Sequence, residues 1–459
     1  MGMHLFRSTA MAWGLVAALL PATAIGQATT KAAAPDAANR LVGEVTYSRG
    51  AGFAQLPGST PRTLGAGLPL YVGDKLTTSE GASAVLKLDD GTRMTLRPQT
   101  EVVLEQFQFK PEAPDNNMVM QLLRGGLRAL TGLITKNNDK AARIKTPVAT
   151  IGIRGTDFDA RLCADDCAQT AAVAGESPRP ANLKASAKAV AVQGTITVEG
   201  FNGEKRKVVH GSSVYPGDLV ETGPNASAVL AFRDESKVSL GAATRFKVDD
   251  FVFDRNNPTD GRFLVSLLKG TVRALTGLIG KSQVRNVSFK TPTATIGIRG
   301  TGLDMTCDDS GCGFFNWLGS ITVTPEGHSA LQVLQEGQGL FVSSTGIRPL
   351  TELPLPGVPR PDGVEVNEAP LFLMQDVNEN QLGLYVLVRD GHVELFTDRG
   401  TLHLGRGELG LALDDLRVLR PLRVPLFMDL DPVPLPSSPN PLLTSVLGEA
   451  GLRPVNQCR

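Results

Sequence analysis

The chain has 459 residues, of which 42% are hydrophobic and 20% are charged, which is enough apolar content for two or three globular domains. Its 46 basic residues equal its 46 acidic residues in number, so the formal net charge is zero. Proteins that bind nucleic acid or anionic membranes carry a marked excess of positive charge. The composition therefore argues against a polyanion as the partner.

The first 26 residues have the pattern of a secretory signal peptide. A weakly basic start precedes an apolar run from Ala10 to Leu20, and small residues around Ala24 offer a cleavage site. This run is shorter than the roughly 20 residues that a membrane-spanning helix needs. We expect cleavage of the signal, a disordered lead-in over residues 27–40, and no integral membrane segment in the mature chain. A retained membrane anchor is the alternative.

A long internal repeat is the most informative feature of the sequence. Residues 145–156 and 290–301 agree at eleven of twelve positions, and residues 128–134 return unchanged at 273–279, both at a spacing of 145. Further upstream the copies match at a spacing of 144. A period of this length predicts tandem domains that each bury a core, rather than a solenoid of short repeats.

Local sequence patterns predict β-strands almost throughout. Short alternating runs such as residues 82–88 are separated by turn signals such as Asp89-Asp90-Gly91. Residues 118–131 and 261–276 are the best helical candidates, but the glycines inside them argue for bent strands. We therefore predict an all-β fold of tandem small β-sheet, sandwich-like or β-solenoid-like modules with a third β-rich C-terminal unit.

Glycine-led strand starts and Pro-rich stretches mark the domain boundaries. A Gly-polar-β-branched-Thr pattern begins at Gly43, Gly194 and Gly319, and residues 391–407 echo residues 319–337. The predicted organisation is a signal peptide at 1–26, a lead-in at 27–40, a first repeat domain at 41–170, a second repeat domain at 190–312, a closing β segment at 317–348, a Pro-rich linker at 349–370, a C-terminal β unit at 371–420 and a Pro-rich tail at 421–459.

Four of the five cysteines form two close pairs, Cys163 with Cys167 and Cys307 with Cys312, near the end of each repeat. In an oxidising compartment, such pairs are expected to form short-loop disulfides, each pinning one turn. A zinc site needs four ligands at compatible spacing, and these pairs lie about 145 residues apart. Cys458 remains, either free or available to link two chains.

The repeated peptide ends in Arg-Gly-Thr, and two readings of it stay open. In the first, a strand runs into a tight turn that needs glycine, and a carboxylate or backbone carbonyls hold the arginine. In the second, the arginine anchors an anion or a partner. The candidate residues are Arg154, Gly155, Thr156, Arg299, Gly300 and Thr301.

Together these features resemble the FecR domain family. The resemblance rests on Gly73-Asp74, on residues 122–125 and above all on residues 146–156, each with its counterpart in the second copy, and it covers about 115 residues per copy. It implies all-β periplasmic modules. Its best-known members resemble regulators that relay the occupancy of an outer-membrane iron–siderophore transporter to a sigma factor. That relay needs a cytoplasmic helical segment and a membrane helix ahead of the module, and we expect neither here.

No catalytic constellation is recognisable in the sequence. His210, His328, His392 and His403 follow the signal, and none of them stands in a metal-binding pair or beside a serine or cysteine nucleophile. We expect no enzymatic activity, no cofactor and no metal. The predicted function is a non-catalytic protein-binding or signalling adaptor, periplasmic or secreted, whose partner is another envelope protein.

The alternative function is binding of glycan or peptidoglycan. Sugar sites rely on aromatic side chains that stack against the rings of the ligand. Trp317 is the only tryptophan outside the predicted signal, so this alternative has little support in the sequence.

Overall fold

The structure is a computed structural model that describes residues 40–137, 140–164, 166–167, 179–181, 185–200, 203–327, 331–367, 369–378, 381–429 and 434–436. The predicted signal peptide, His328, Cys458 and most of the Pro-rich tail lie outside these ranges. Strands dominate the described part, which confirms the predicted all-β class. The α-helices there are single short turns: α1 (Leu133–Asn137), α2 (Leu278–Ser282), α3 (Ala369–Phe372) and α4 (Leu426–Asp429). Short 3-10 turns cover Pro258–Asp260, Val284–Asn286 and Pro361–Gly363.

The first repeat folds into strands whose apolar side chains alternate toward one core. We call them together the first module: β1 (Leu41–Arg49), β2 (Gly52–Gln55), β3 (Arg62–Thr63), β4 (Pro69–Tyr71), β5 (Lys75–Thr78), β6 (Ser83–Leu88), β7 (Arg93–Leu96), β8 (Glu101–Gln108), β9 (Asn117–Leu130), β10 (Ala142–Lys145) and β11 (Thr150–Cys163).

Strand β9 organises the first module because it changes partners halfway along. Its first half pairs antiparallel with β8 and parallel with β10, and its second half pairs antiparallel with β7 and β11. The change occurs at Gly125, where φ is +76° and an added Cβ would lie 2.6 Å from the Cα atom of Thr100. Only glycine fits such a position. The bent strand predicted over residues 118–131 is therefore confirmed.

The second repeat reproduces these pairings. We call the following strands the second module: β13 (Ala187–Gln193), β14 (Ile196–Glu199), β15 (Lys205–Lys207), β16 (Ser213–Val214), β17 (Leu219–Thr222), β18 (Ser227–Phe232), β19 (Lys237–Leu240), β20 (Arg245–Val252), β21 (Arg262–Leu275), β22 (Val287–Lys290) and β23 (Ala294–Asp308). Strand β12 (Arg179–Pro180) precedes them. Strand β21 bends at Gly270, with φ of +94°, as β9 does at Gly125.

Further strands follow the second module in two groups. The closing strands are β24 (Gly311–Pro325), β25 (Gln332–Gln335), β26 (Gln338–Ser343) and β27 (Gly346–Leu350). The C-terminal strands are β28 (Met374–Gln375), β29 (Gly383–Thr397), β30 (Gly400–Gly405), β31 (Leu409–Ala412), β32 (Val418–Pro421) and β33 (Arg423–Val424).

These two groups complete the two modules in the same way. Strand β24 pairs along β23, which directly precedes it, whereas β29 pairs along β11 of the first module, more than two hundred residues earlier. Arg299 lies opposite Ser320 in one pair and Arg154 lies opposite His392 in the other. The weak sequence similarity between residues 319–337 and 391–407 thus reflects a shared structural role, because each segment pairs with the last long strand of one module.

Each of the two modules has its own hydrophobic core. One core contains residues of the second module together with Phe314, Ile321 and Val342 from the closing strands. The other contains residues of the first module together with Val388 and Leu395 from the C-terminal strands. The first module therefore depends on distant sequence for part of its apolar interior.

Candidate functional site

The second module packs against the C-terminal strands through a face that contains three histidines. His392 and Glu394 lie two residues apart on β29, and His403 lies opposite Glu394 on β30. Residues two apart on a strand share one face, so the three side chains point the same way. His210 from the second module places its ring 5.1 Å from that of His403. We call these four residues the histidine cluster.

The backbone of the second module and the backbone of the C-terminal strands each approach the other surface closely at the histidine cluster. Gly211 packs directly on His403, where an added Cβ would lie 2.1 Å from Cγ of the imidazole ring. Gly405 packs on the second module in the same manner, and a Cβ there would lie 2.3 Å from Oγ of Ser213. Any side chain at either glycine would separate the two surfaces.

The side-chain nitrogen and oxygen atoms of His392, Glu394 and His403 lie further apart than the atoms of a good hydrogen bond. Nδ1 of His403 is 3.4 Å from Nε2 of His392 and 3.5 Å from Oε1 of Glu394. The ligating atoms of these three residues all lie within 4.8 Å of one another. Both imidazoles are largely buried, with His392 only 7% exposed. Of the residues that the structure describes, this set could hold a metal ion.

Burial and neighbouring positive charge keep His392 and His403 neutral. Burial, together with the nearby His210, Lys188 and Arg154, lowers the pKa of His403 to about 3. The pKa of His392 is also lowered well below its ordinary value, first by burial and then by the same kinds of neighbours. Both rings therefore present lone pairs at neutral pH.

A fully buried ion-pair network lies beside the cluster. Nζ of Lys188 donates to both carboxylate oxygens of Glu408 at 3.0 Å, and Nε of Arg420 donates to the same carboxylate at 3.2 Å. Lys188 also donates to Oγ of Ser213 and to the carbonyl of His403, each at 3.0 Å. Burial lowers the pKa of Lys188 to about 8, although Glu408 opposes that shift. The network joins the second module to the C-terminal strands.

The structure places Arg154 of the repeated peptide at the edge of the cluster. Its guanidinium donates to Oε1 of Glu394 at 2.7 Å, and both side chains are mostly buried. Gly155 follows with φ of +58° and open space around it, and the amide of Thr156 donates to Oγ1 of Thr131 at 2.7 Å. The carboxylate partner of Arg154 comes from the C-terminal strands.

The second copy of the peptide differs in its surroundings. Gly300 has φ of +59° and open space, as Gly155 does. The side chains of Arg299 and Thr301 lie outside the described part of the structure. The positions that correspond to His392, Glu394 and His403 are occupied by Ser320, Thr322 and Val333, as the strand registers show.

Both predicted disulfides are present. Cys163 is bonded to Cys167, and Cys307 is bonded to Cys312. The second bridge spans the turn between β23 and β24, where its two cysteines face each other. Each bridge therefore fixes one end of a module's last long strand.

The second module exposes the face that the first module buries. Among the described residues, β25 pairs with β24 alone, as β30 pairs with β29 alone, so the two strands differ in the exposure of their faces. Val333 on β25 is 54% exposed, and the adjacent Leu331 is exposed to the same extent. His403, at the position equivalent to Val333, has a side chain that is 13% exposed. The same surface of the repeat is thus covered in one copy and open in the other.

Trp317 is engaged within the chain. The guanidinium carbon of Arg360 lies 4.7 Å from the centre of the indole, and Gly302 packs so closely that an added Cβ would lie 2.4 Å from it. A sugar would have to displace Arg360 to stack on this ring. The predicted glycan alternative gains no support here.

Sequence reasoning missed the histidine cluster. Its members lie at positions 210, 392, 394 and 403, and only the register between β29 and β30 and the docking of the second module bring them together. The alternating pattern His-x-Glu at 392–394 is the one local signal that could have indicated a shared face.

Comparisons with known proteins agree with the repeat. The family model described as FecR protein matches residues 74–177 and residues 218–313. No curated protein sequence matches the chain. Within the described ranges, no helix is long and apolar enough to cross a membrane.

Two crystal structures, at 1.65 and 2.50 Å resolution, of a protein described as "putative anti-sigma factor" from Parabacteroides distasonis ATCC 8503 are similar over part of the fold. Each is 15% identical, with a TM-score of 0.23, and the match covers 29% of this chain and 57% of the other. The chain thus matches little more than half the length of those proteins. Because the family model matches both copies of the repeat, the chain carries two tandem FecR-family domains.

Proposed function

We propose that this chain is a non-catalytic regulatory adaptor of the cell envelope that binds another protein. The FecR-family domains support this function, and the two disulfides fit an oxidising extracytoplasmic compartment. The observation that carries the proposal is the open edge of β25, with its exposed Leu331 and Val333. An unpaired strand edge with apolar neighbours is a template for strand addition by a partner.

The internal architecture supports this use of the surface. In the first module the equivalent surface is the one on which the second module docks, with Gly211 against His403. That surface of the repeat is therefore suited to protein–protein packing. In the second module it remains free for another chain.

The test is crosslinking in the native envelope followed by mass spectrometry. The Val333→Asp variant places a charge in the centre of the open surface, and we expect it to lose the crosslinked partner. Val252→Asp is the matched control, because Val252 is a 42% exposed valine elsewhere on the second module. The control should keep the partner. Equal crosslinking of both variants, with native circular dichroism, would contradict the proposed surface.

A further inference from the structure

The distances within the histidine cluster do not suit hydrogen bonds. Nδ1 of His403 lies 3.4 Å from Nε2 of His392 and 3.5 Å from Oε1 of Glu394, whereas good N–H···O and N–H···N contacts lie near 2.7–3.2 Å. A neutral imidazole carries one proton, so Nδ1 of His403 cannot donate fully to both neighbours. His392 also has a buried Nδ1 with no hydrogen-bond partner among the described residues.

The same distances suit a tetrahedral metal ion. Zinc bonds to histidine nitrogen and carboxylate oxygen at about 2.0–2.1 Å, which places neighbouring ligand atoms about 3.3 Å apart. We infer that His392, Glu394 and His403 bind a zinc ion, beside the ring of His210, whose centre lies 5.1 Å from that of His403. Three protein ligands leave one position of a tetrahedral ion for a water molecule.

The surroundings have the features that metal sites use to orient their ligands. Arg154 donates to Glu394 at 2.7 Å, and the ring of His210 lies with Nδ1 3.1 Å from the carbonyl oxygen of Val190. That carbonyl can only accept, so Nδ1 of His210 is the donor in this contact. His210 is exposed, which gives an ion access from solvent.

The nearby positive charges restrict which ion can bind. Arg154 is paired with Glu394, and Lys188 and Arg420 share Glu408. One net positive charge remains among these five groups. It opposes calcium and magnesium, which bind mainly through charge, more than it opposes zinc, which forms strong bonds to imidazole. A zinc ion here would link β29 to β30 at the surface on which the second module packs.

The experiment uses the full chain, purified without a polyhistidine tag and freed of metal with EDTA. Calorimetric titration with Zn²⁺ should give one ion per chain, and Co²⁺ should give the intense visible absorption of tetrahedral coordination. The double variant His392→Gln, His403→Gln should lose both signals. Thr322→Ala with Val333→Ala alters the equivalent positions of the second module and should keep both.

Two further variants keep the test decisive if the double variant fails to fold. Glu394→Gln removes one ligand charge and should abolish the tetrahedral Co²⁺ spectrum. Arg154→Gln removes only the group that orients Glu394 and should weaken Zn²⁺ binding by about 10- to 100-fold. The inference is overturned if the wild type binds no Zn²⁺, or if Glu394→Gln with native circular dichroism keeps the wild-type affinity and spectrum.

Discussion

At the residue scale, equivalent carboxylates in the two modules meet different partners. Asp159 accepts from Arg97 at 2.6 Å and from Arg389 at 2.5 Å, whereas the equivalent Asp304 is paired with Arg273 at 3.2 Å. Burial alone would raise the pKa of Asp159, but its arginine neighbours together lower it. Burial raises the pKa of Asp304 to about 6 against the opposing effect of Arg273.

The raised pKa of Asp304 and the lowered pKa of Asp159 predict that the two carboxyl groups change the free energy of unfolding in opposite directions as pH falls. The folded protein holds a proton on Asp304 more tightly than the unfolded chain, whose carboxyl titrates near 3.8, so its contribution to stability increases as pH falls from 7 toward 4. The stabilising contribution of Asp159 is present above pH 3.8 and is lost only as pH falls through its lowered folded pKa.

Urea unfolding at pH 5 and pH 7 measures the pH-dependent contribution of Asp304 and the constant contribution of Asp159 across this interval. We expect Asp304→Asn to flatten the dependence of stability on pH across this interval. Asp159→Asn leaves two arginines with a buried neutral partner and should lower the free energy of unfolding by about 3–5 kcal/mol at both values. An Asp159→Asn protein as stable as the wild type would show that the arginines find other partners.

At the element scale, the C-terminal strands act as the missing edge of the first module. Strand β29 pairs along most of β11, and Val388, Leu395 and Leu404 enter the same core. The second module contains its own equivalent in β24, which follows β23 after a short turn. The two modules therefore differ in how much of the chain they need.

Shortening the chain tests this dependence. A chain that ends at Asn367 lacks the C-terminal strands, and we expect β9, β10 and β11 to lose amide protection in hydrogen exchange. The second module should stay protected because the core that contains it draws on residues 187–342. A chain that ends at Asp429 is the control and should protect both modules. Unchanged protection of β11 in the shorter chain would contradict this account.

Much of this element structure could be predicted from the sequence. Alternating apolar residues and glycine-rich turns predicted the strands, because these patterns are local in the sequence. The internal repeat predicted two related domains, because the two copies can be aligned directly with each other. The pairing of β11 with β29 could not be predicted, since residues 391–407 share few residues with their counterpart. The histidine cluster was missed because it depends on the pairing of β29 with β30 and on the docking of the second module, which no local pattern indicates.

At the scale of the whole molecule, one specific interface joins the two modules. Its buried pair joins Lys188 to Glu408, whereas the position of Lys188 in the first module is occupied by Glu44, which is exposed and of opposite charge. Gly67, at the position of Gly211, has open space around it. The intramolecular docking is thus specified by residues that the repeat does not share.

Removing one partner of the buried pair should loosen this docking. Lys188→Met leaves Arg420 as the charged partner of Glu408, and we expect the free energy of unfolding to fall by about 3–5 kcal/mol, with loss of cooperativity between the modules in calorimetry. Glu44→Met alters the equivalent exposed position and should change stability by no more than about 0.5 kcal/mol. Similar effects of the two substitutions would argue against a specific docking contact.

The position of β29 late in the sequence also determines the order in which the two modules fold. Arg154 and Glu394 are separated by 240 residues, so the first module cannot finish folding until almost the whole chain is available. The second module closes through a turn of a few residues between Cys307 and Cys312 and has no such delay. The half of the protein that emerges first from the ribosome is therefore the half that matures last, and until then β11 presents an unpaired edge that other chains could occupy.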